Sequence, residues 1–178
     1  IAGVVLRLKT NVRYIYEMWM ENWPAAPVDS GIEPHAVLIA VDGIAGREPR
    51  AFYNTETKTG VVVNVDAYGP VRSLALGMAG DVAGRHFDAH LIRGMSADWD
   101  GRGLLLVGPA GTKKTDLFFG LLRDPRFRFH AGDMVLARPA GKAAPADSLE
   151  RKAWLPTNTV ELFNRLAPLF DRSKCENV

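Results

Sequence analysis

The stretch LLLVGPAGTKKTDLFFGLL, residues 104–122, combines an apolar strand, a loop that contains glycine and the start of an apolar helix. The loop nearly matches the pattern Gly, four residues, Gly-Lys and Ser or Thr, which holds phosphate groups between a buried strand and a helix. The residues in register with this pattern are Gly108, Gly111, Lys114 and Thr115. Lys113 occupies the position of the last glycine. This order of elements favours an α/β fold built around one strand, loop and helix.

The chemistry of phosphate binding explains why these residue types are needed. Small residues allow successive backbone N–H groups to point toward a common centre, and the helix N-terminus adds about half an elementary positive charge. Lys114 would contact the terminal phosphates and the Thr115 hydroxyl a Mg²⁺ ion. The predicted nucleotide-binding residues are Gly108, Pro109, Ala110, Gly111, Thr112, Lys113, Lys114 and Thr115. The alternative is an ordinary strand-to-helix turn with exposed lysines.

The remaining sequence predicts two regions, a small α+β region over residues 1–84 and a nucleotide-binding domain over residues 85–178. In the first region we expect a strand, a helix that ends before Pro24, three short strands and a helix that begins near Pro70. In the second we expect a hairpin at Asp100-Gly101, because Asp-Gly between apolar runs favours a tight turn. The fold class is therefore α/β, with a mixed sheet around the strand that precedes the loop.

Composition narrows the classes of partner. The net charge of +2 and the dispersed basic residues give no reason to expect a nucleic-acid groove or a membrane surface. No apolar run approaches the roughly 20 residues of a membrane span, and the first residues lack the features of a signal peptide. Cys175 is the single cysteine, which excludes an internal disulfide. We expect a cytoplasmic protein, and because the chain begins without Met, part of a longer product.

Phosphate transfer also needs an acidic residue that holds metal or activates the acceptor. The stretch RFRFHAGDMVLAR is predicted to form a strand, a turn and a strand, and it carries Asp133, which is 19 positions after Lys114 (133 − 114). A Gly-Asp pair is also common in structural turns, so Asp133 by itself allows either interpretation.

These features together resemble the superfamily of HPr kinases and phosphoenolpyruvate carboxykinases. In that superfamily a histidine-bearing strand precedes the phosphate loop by roughly one hairpin, and a short strand after the helix ends in an acidic turn, often with two adjacent aspartates. The corresponding parts here are HLIRGMSADWDGRGLLLVGPAGTKKT and FHAGDMVLAR. The resemblance covers about residues 86–138. The chain is far too short for a complete carboxykinase, so the kinase branch is the closer comparison.

The resemblance implies an ATP-dependent, Mg²⁺-requiring kinase that acts on a hydroxyl of a protein or a small-molecule acceptor. By position, Lys114 would contact the phosphates and Thr115 the metal. Asp133 would bind metal or act as the base, and His90 would lie near the metal and the transferred phosphate. Relatives of these kinases often form oligomers, so a homo-oligomer is a further expectation.

Two positions depart from the family pattern, since Lys113 replaces the last glycine of the loop and Gly132 stands where the first aspartate is often found. Loss of one carboxylate could leave nucleotide binding without efficient transfer. The second interpretation is therefore a nucleotide-binding regulatory module that has lost catalysis. The third is an interaction domain that binds no nucleotide and uses the aromatic stretch YIYEMWMENW as its contact surface, although that stretch is also typical of a helix that covers a sheet.

Other polar residues carry weaker signals. Arg93 and Arg151 could contact phosphate, because guanidinium groups match its geometry, or could be solvated. The other three histidines are interpreted as surface or supporting residues; they are His35, His86 and His130. The stretch Glu150, Arg151 and Lys152 is interpreted as a charged surface.

Overall fold

The structure is a computed structural model that describes residues 1–26, 31–109 and 111–171. Within these residues the chain forms nine strands, four α-helices and one 3-10 helix. The strands form two sheets, so the fold is a mixed α/β arrangement. Ala110 of the predicted loop and Cys175 lie outside the described residues.

The first sheet is mixed and contains the N-terminal strands. Its elements are β1 (Leu6–Thr10), α1 (Arg13–Asn22), β2 (Ala36–Val41), β3 (Arg50–Asn54), β4 (Thr59–Val63) and α2 (Tyr68–His86). The strand order is β1-β2-β4-β3, where β1, β2 and β4 are parallel and β3 is antiparallel to β4. The connection through α1 is long enough for a parallel crossover, and α1 ends shortly before Pro24, which cannot continue a helix.

Helix α2 packs against this sheet and completes the larger hydrophobic cluster. Gly60 permits the close approach, since a Cβ atom there would lie 2.5 Å from the Met78 sulfur. The same cluster includes Leu136 and Leu149 from the second half of the chain. One core therefore crosses the boundary predicted near residue 84, while the division into two domains stays a prediction.

The second sheet contains the strand before the loop. Its elements and their neighbours are β5 (His90–Trp99), β6 (Arg102–Val107), α3 (Lys114–Leu121), β7 (Phe127–Ala131), β8 (Met134–Ala137), β9 (Ala146–Ser148), α4 (Thr157–Leu162) and a 3-10 helix (Asn164–Leu169). The strand order is β6-β5-β8-β9, with β7 also paired to β5, and every pairing is antiparallel.

The hairpin predicted at Asp100-Gly101 is confirmed, with positive φ angles of +47° and +80° at the two turn residues. Such a short turn can join only antiparallel strands. The sheet around the loop strand is antiparallel and not mixed as predicted, and the mixed sheet is the N-terminal one. The segments β7 and β8 both pair with β5, and the register shifts between Ser96 and Ala97.

The smaller hydrophobic cluster lies between β5 and α3. Phe118 and Phe119 pack with Met95 and Ala97, whereas the preceding Leu117 is 56% exposed. Several consecutive apolar residues cannot all face one side of a helix, and the two phenylalanines occupy the inner side. None of the helices in the described residues has the length and apolar character needed to span a bilayer.

Candidate functional site

The segment after β6 folds back on itself. The Lys114 Nζ atom donates a hydrogen bond to the Pro109 carbonyl oxygen at 2.6 Å, and the Thr112 hydroxyl donates to the same oxygen at 2.8 Å. At Gly108, a Cβ atom would lie 3.3 Å from the Thr112 hydroxyl oxygen, so glycine allows this close contact. The result is a compact turn with the side chain of Lys114 lying along it.

Two residues of this turn adopt left-handed backbone conformations. Gly111 has a φ of +82° and Lys113 a φ of +54°. This conformation costs a residue other than glycine about 1 to 2 kcal/mol. Lys113 thus adopts the backbone that suits glycine, and its side chain is exposed. Helix α3 begins directly after it without a side-chain cap, so the N–H groups of the first turn can bind an anion.

The turn forms one wall of a cleft of about 440 Å³. The opposite wall contains Arg93 of β5 and the turn Gly132-Asp133 between β7 and β8. The cleft is also lined by residues at the start of α4, which are Pro156, Asn158 and Thr159. The cleft carries positive charge from Lys113, Lys114 and Arg93, which attracts an anion. It also carries the negative charge of the Asp133 carboxylate.

A backbone contact fixes the acidic turn beside β5. The Gly94 N–H group donates a hydrogen bond to the Asp133 carbonyl oxygen at 2.8 Å. A Cβ atom on Gly94 would lie 2.9 Å from the carbonyl oxygen of Leu106, so a larger residue would push β6 away. Glycine at this position thus keeps the strand before the loop and the acidic turn on adjacent sides of β5.

The Asp133 carboxylate is held by two arginines. The Arg72 Nη2 atom lies 2.9 Å from Oδ2, and the Arg93 Nε atom lies 3.5 Å from Oδ1. Arg72 is also paired with Glu150 through two contacts, from Nε to Oε1 at 2.6 Å and from Nη2 to Oε2 at 2.5 Å. The Arg72 and Glu150 side chains are only 13% and 8% exposed. This bidentate geometry is the strong form of an arginine–carboxylate pair.

The pair extends to the first helix. The Asn22 Nδ2 atom donates to Glu150 Oε1 at 2.7 Å, so a polar chain runs from α1 through Glu150 and Arg72 to Asp133. Burial lowers the pKa of the Arg72 guanidinium, but the hydrogen bonds and charges of Glu150 and Asp133 outweigh it and raise the pKa above its usual value. The N-terminal region thereby contributes directly to the geometry of the acidic turn.

Arg72 carries no assignment from the sequence, although a signal was present. It is the single charged residue between Asp66 and Asp81, in the largely apolar first part of α2. A charge in such a helix must find a partner if it is buried. Glu150, interpreted from the sequence as part of a charged surface, is that partner.

The structure brings Lys114, Thr115 and Asp133 to one cleft, but it does not bring His90 there. His90 begins β5 opposite Ala137, its side chain is 62% exposed, and Nε2 lies 3.8 Å from Asp88 Oδ1. Four residues of extended strand separate it from Gly94, which corresponds to about 13 Å. Arg93, three positions further along the same strand, does line the cleft.

The other histidines have structural partners. The His130 Nδ1 atom lies 2.9 Å from the Ser96 hydroxyl oxygen, and His86 Nε2 lies 2.9 Å from Lys58 Nζ. His35 Nδ1 accepts a hydrogen bond from the Val5 N–H group at 3.0 Å. These contacts agree with supporting roles.

The donor atoms of the cleft suit a nucleotide-bound Mg²⁺ ion. Such an ion takes one or two protein oxygens together with phosphate oxygens and water. The Thr115 hydroxyl and the Asp133 carboxylate can supply the protein oxygens. In the part of the chain that the structure describes, no group of three or more His, Cys, Asp or Glu residues is placed to hold a metal ion. A Cβ atom on Gly132 would lie 3.3 Å from Ala153 Cβ and 3.4 Å from Phe129 Cζ, so a second aspartate there would be crowded.

Comparison of the sequence with models of known protein families and with curated proteins gave no match.

Proposed function

We propose that this chain is a Mg²⁺-dependent kinase that binds ATP at residues 108–115 and transfers the terminal phosphate to a hydroxyl acceptor. One observation carries the proposal: the turn after β6 folds around Lys114 and lines the same cleft as Asp133. The left-handed backbone at Lys113 supports it, since the position that departs from the phosphate-binding pattern keeps the conformation of glycine.

In this proposal the chain acts mainly by positioning and by charge neutralisation. The backbone N–H groups at the start of α3 and the Lys114 ammonium hold the phosphates. Thr115 and Asp133 would hold Mg²⁺, which would neutralise negative charge on the phosphates. The Asp133 carboxylate accepts the proton of the acceptor hydroxyl. As the new oxygen–phosphorus bond forms, the bond from the terminal phosphorus to the bridging oxygen breaks, and ADP leaves with the electron pair.

A second candidate function is a nucleotide-binding module without phosphate transfer. The ion pairs from Arg72 and Arg93 to Asp133 favour it, because a carboxylate engaged by two guanidinium groups must exchange a partner before it binds metal. The crowding at Gly132, where the related kinases often have an aspartate, favours it as well.

The proposal is tested by a matched pair of adjacent lysine variants, Lys114→Ala and Lys113→Gly. We expect Lys114→Ala to weaken ATP binding by at least about tenfold, because it removes a charge-assisted contact, and to abolish transfer. Lys113→Gly removes an exposed positive charge, so it should weaken ATP binding less than Lys114→Ala does. It should raise the free energy of unfolding by about 0.5 to 1 kcal/mol, since glycine adopts a positive φ without strain. Calorimetric titration with and without Mg²⁺ measures ATP affinity, a phosphate-transfer assay measures transfer, and chemical denaturation measures the free energy of unfolding.

The outcomes separate the candidates. Unchanged ATP affinity in Lys114→Ala would remove the loop from the mechanism. ATP binding by the wild type without transfer to any hydroxyl acceptor would select the binding module. If the wild type binds no ATP, the chain is an interaction domain in which residues 108–115 form an ordinary turn.

A further inference from the structure

A second pocket adjoins the phosphate cleft at the turn Gly132-Asp133. Its volume is about 180 Å³, and it is lined on one side by the end of β7 and on the other by residues 150–154. The chain then continues into residues 156–159, which line the cleft. Both cavities therefore share the acidic turn and one continuous segment. We propose that this second pocket binds the hydroxyl acceptor and that the acceptor is a small hydroxy acid, an inference that rests on the proposed kinase function.

The charges in the pocket favour an anion. The two acidic side chains, Asp133 and Glu150, are balanced by two arginines, because Arg72 is paired with both and Arg93 is also paired with Asp133. Lys152 is paired with Glu21. Among the described residues, the guanidinium group of Arg151 has neither a hydrogen bond nor an ion pair, and the side chain is exposed. Arg151 therefore leaves one uncompensated positive charge in the wall of the pocket.

The backbone at Arg151 is held in place, so the side chain that carries this charge starts from a defined position. The Arg151 N–H group donates a hydrogen bond to the Asn22 carbonyl oxygen at 2.9 Å. The neighbouring Glu150 side chain accepts hydrogen bonds from Asn22 and Arg72. A guanidinium group on such a support can bind a carboxylate with two parallel hydrogen bonds.

The size and lining of the pocket restrict the acceptor. At about 30 Å³ per water molecule, the pocket volume corresponds to about six waters, which suits a hydroxy acid of three or four carbons. Phe129 and Trp154 supply apolar surface for its carbon chain, and the Arg72 guanidinium lies 5.9 Å from the Trp154 ring centre. Such an acid could place its carboxylate on Arg151 and its hydroxyl toward Asp133.

The chemical step follows the proposed function. The hydroxyl oxygen of the acid forms a bond to the terminal phosphorus of ATP, and the bond from that phosphorus to the bridging oxygen breaks. ADP leaves with the electron pair, and the hydroxyl proton passes to Asp133 and then to solvent. The products are a phosphorylated hydroxy acid and ADP, so no further reactant is needed.

Binding of matched acids and neutral compounds tests this inference. The probes are glycerate with glycerol, and 3-hydroxybutyrate with 1,3-butanediol, titrated into wild type, Arg151→Ala and the control Arg102→Ala. Arg102 is an exposed arginine at the start of β6 and lines neither cavity. We expect each acid to bind wild type at least about tenfold more tightly than its neutral partner, and Arg151→Ala to lose at least about tenfold in affinity for the acid. Arg102→Ala should bind like wild type.

The same samples are titrated with Mg²⁺ and ATP, and transfer to the bound acid is followed by phosphorus NMR. Equal binding of acids and neutral compounds, wild-type affinity in Arg151→Ala, or no binding of any probe would overturn the inference. ATP binding without acid binding would overturn this inference alone. Acid binding at Arg151 without ATP binding would overturn the proposed kinase function and, with it, the role of the acid as acceptor.

Discussion

The two sheets differ in how thoroughly their side chains are buried. The N-terminal sheet is covered by α2, and fully buried residues such as Ile15, Leu38 and Tyr68 belong to its cluster. The cluster of the second sheet contains few buried residues, all on β5 and α3. The candidate cleft lies in the second region, which has the smaller hydrophobic cluster. The larger core and the candidate cleft thus lie in different regions, as is common where loops on a rigid framework line a site.

The arrangement of the strands explains the difference. Parallel strands need crossover connections that cover the sheet, whereas an antiparallel sheet can leave one face in water. Strand β2 alternates buried and half-buried residues, while most residues of β7 are exposed. The two regions are nevertheless joined by the buried pair of Arg72 and Glu150. The N-terminal region therefore acts as the support from which the acidic turn is held.

The largest effect that sharpens this comparison comes from one leucine in each region. Leu38→Ala should lower the free energy of unfolding by about 4 kcal/mol, because a fully enclosed leucine leaves a cavity when truncated. Leu117→Ala, on the exposed side of α3, should change it by less than about 0.5 kcal/mol. Chemical denaturation measures both. Similar losses for the two variants would contradict the contrast in burial.

A smaller effect is expected at the connection between the regions. Arg72→Ala leaves Glu150 buried without its partner and should lower the free energy of unfolding by about 3 kcal/mol. Arg85, on the same helix, is 51% exposed and paired with Asp81, so Arg85→Ala should cost less than about 1 kcal/mol. Denaturation of both variants and of Glu150→Gln measures the difference.

The same variants show whether the connection matters for the cleft. Because Arg72 holds Oδ2 of Asp133, we expect Arg72→Ala to lower the rate of phosphate transfer while ATP affinity changes less, since Arg72 does not line the cleft. Arg85→Ala serves as the matched control. Equal stability of Arg72→Ala and Arg85→Ala would show that the regions are joined by packing alone. An unchanged transfer rate in Arg72→Ala would show that the ion pair does not influence the cleft.

Local patterns in the sequence predicted most elements of the fold. The alternating and β-branched stretches became β1, β2 and β4, Pro24 marks the end of α1, and the Asp100-Gly101 turn joins β5 to β6. The predicted order of an apolar strand followed by a helix is also found, as β6 and α3. In each case the signal lies within a few residues of the element that it specifies.

Pairing between distant segments could not be predicted in the same way. The stretch that forms β7 and β8 indicates two strands and a turn, but the pairing of both with β5 depends on a register shift near Ser96. Arg72 is 61 residues from Asp133 and 78 from Glu150, so no spacing rule connects them. His90 was assigned by position in a motif, and the strand length between it and Gly94 places it away from the cleft.

The smallest effect concerns a charge on the surface of the second region. The Asp124 carboxylate, just after α3, accepts hydrogen bonds from the side chain and then from the backbone N–H of Arg126, and these contacts lower its pKa from 3.8 to about 2. A lowered pKa stabilises the folded state above about pH 4, and this contribution disappears as the pH falls through about 2. We expect Arg126→Ala to raise the pKa of Asp124 back toward 3.8, less the part due to the backbone N–H. Carboxyl NMR titration measures the shift, with Arg128→Ala as control. An unchanged pKa in Arg126→Ala would mean that the turn after α3 is not held in this form, and that the second region is less ordered at its surface than its strands indicate.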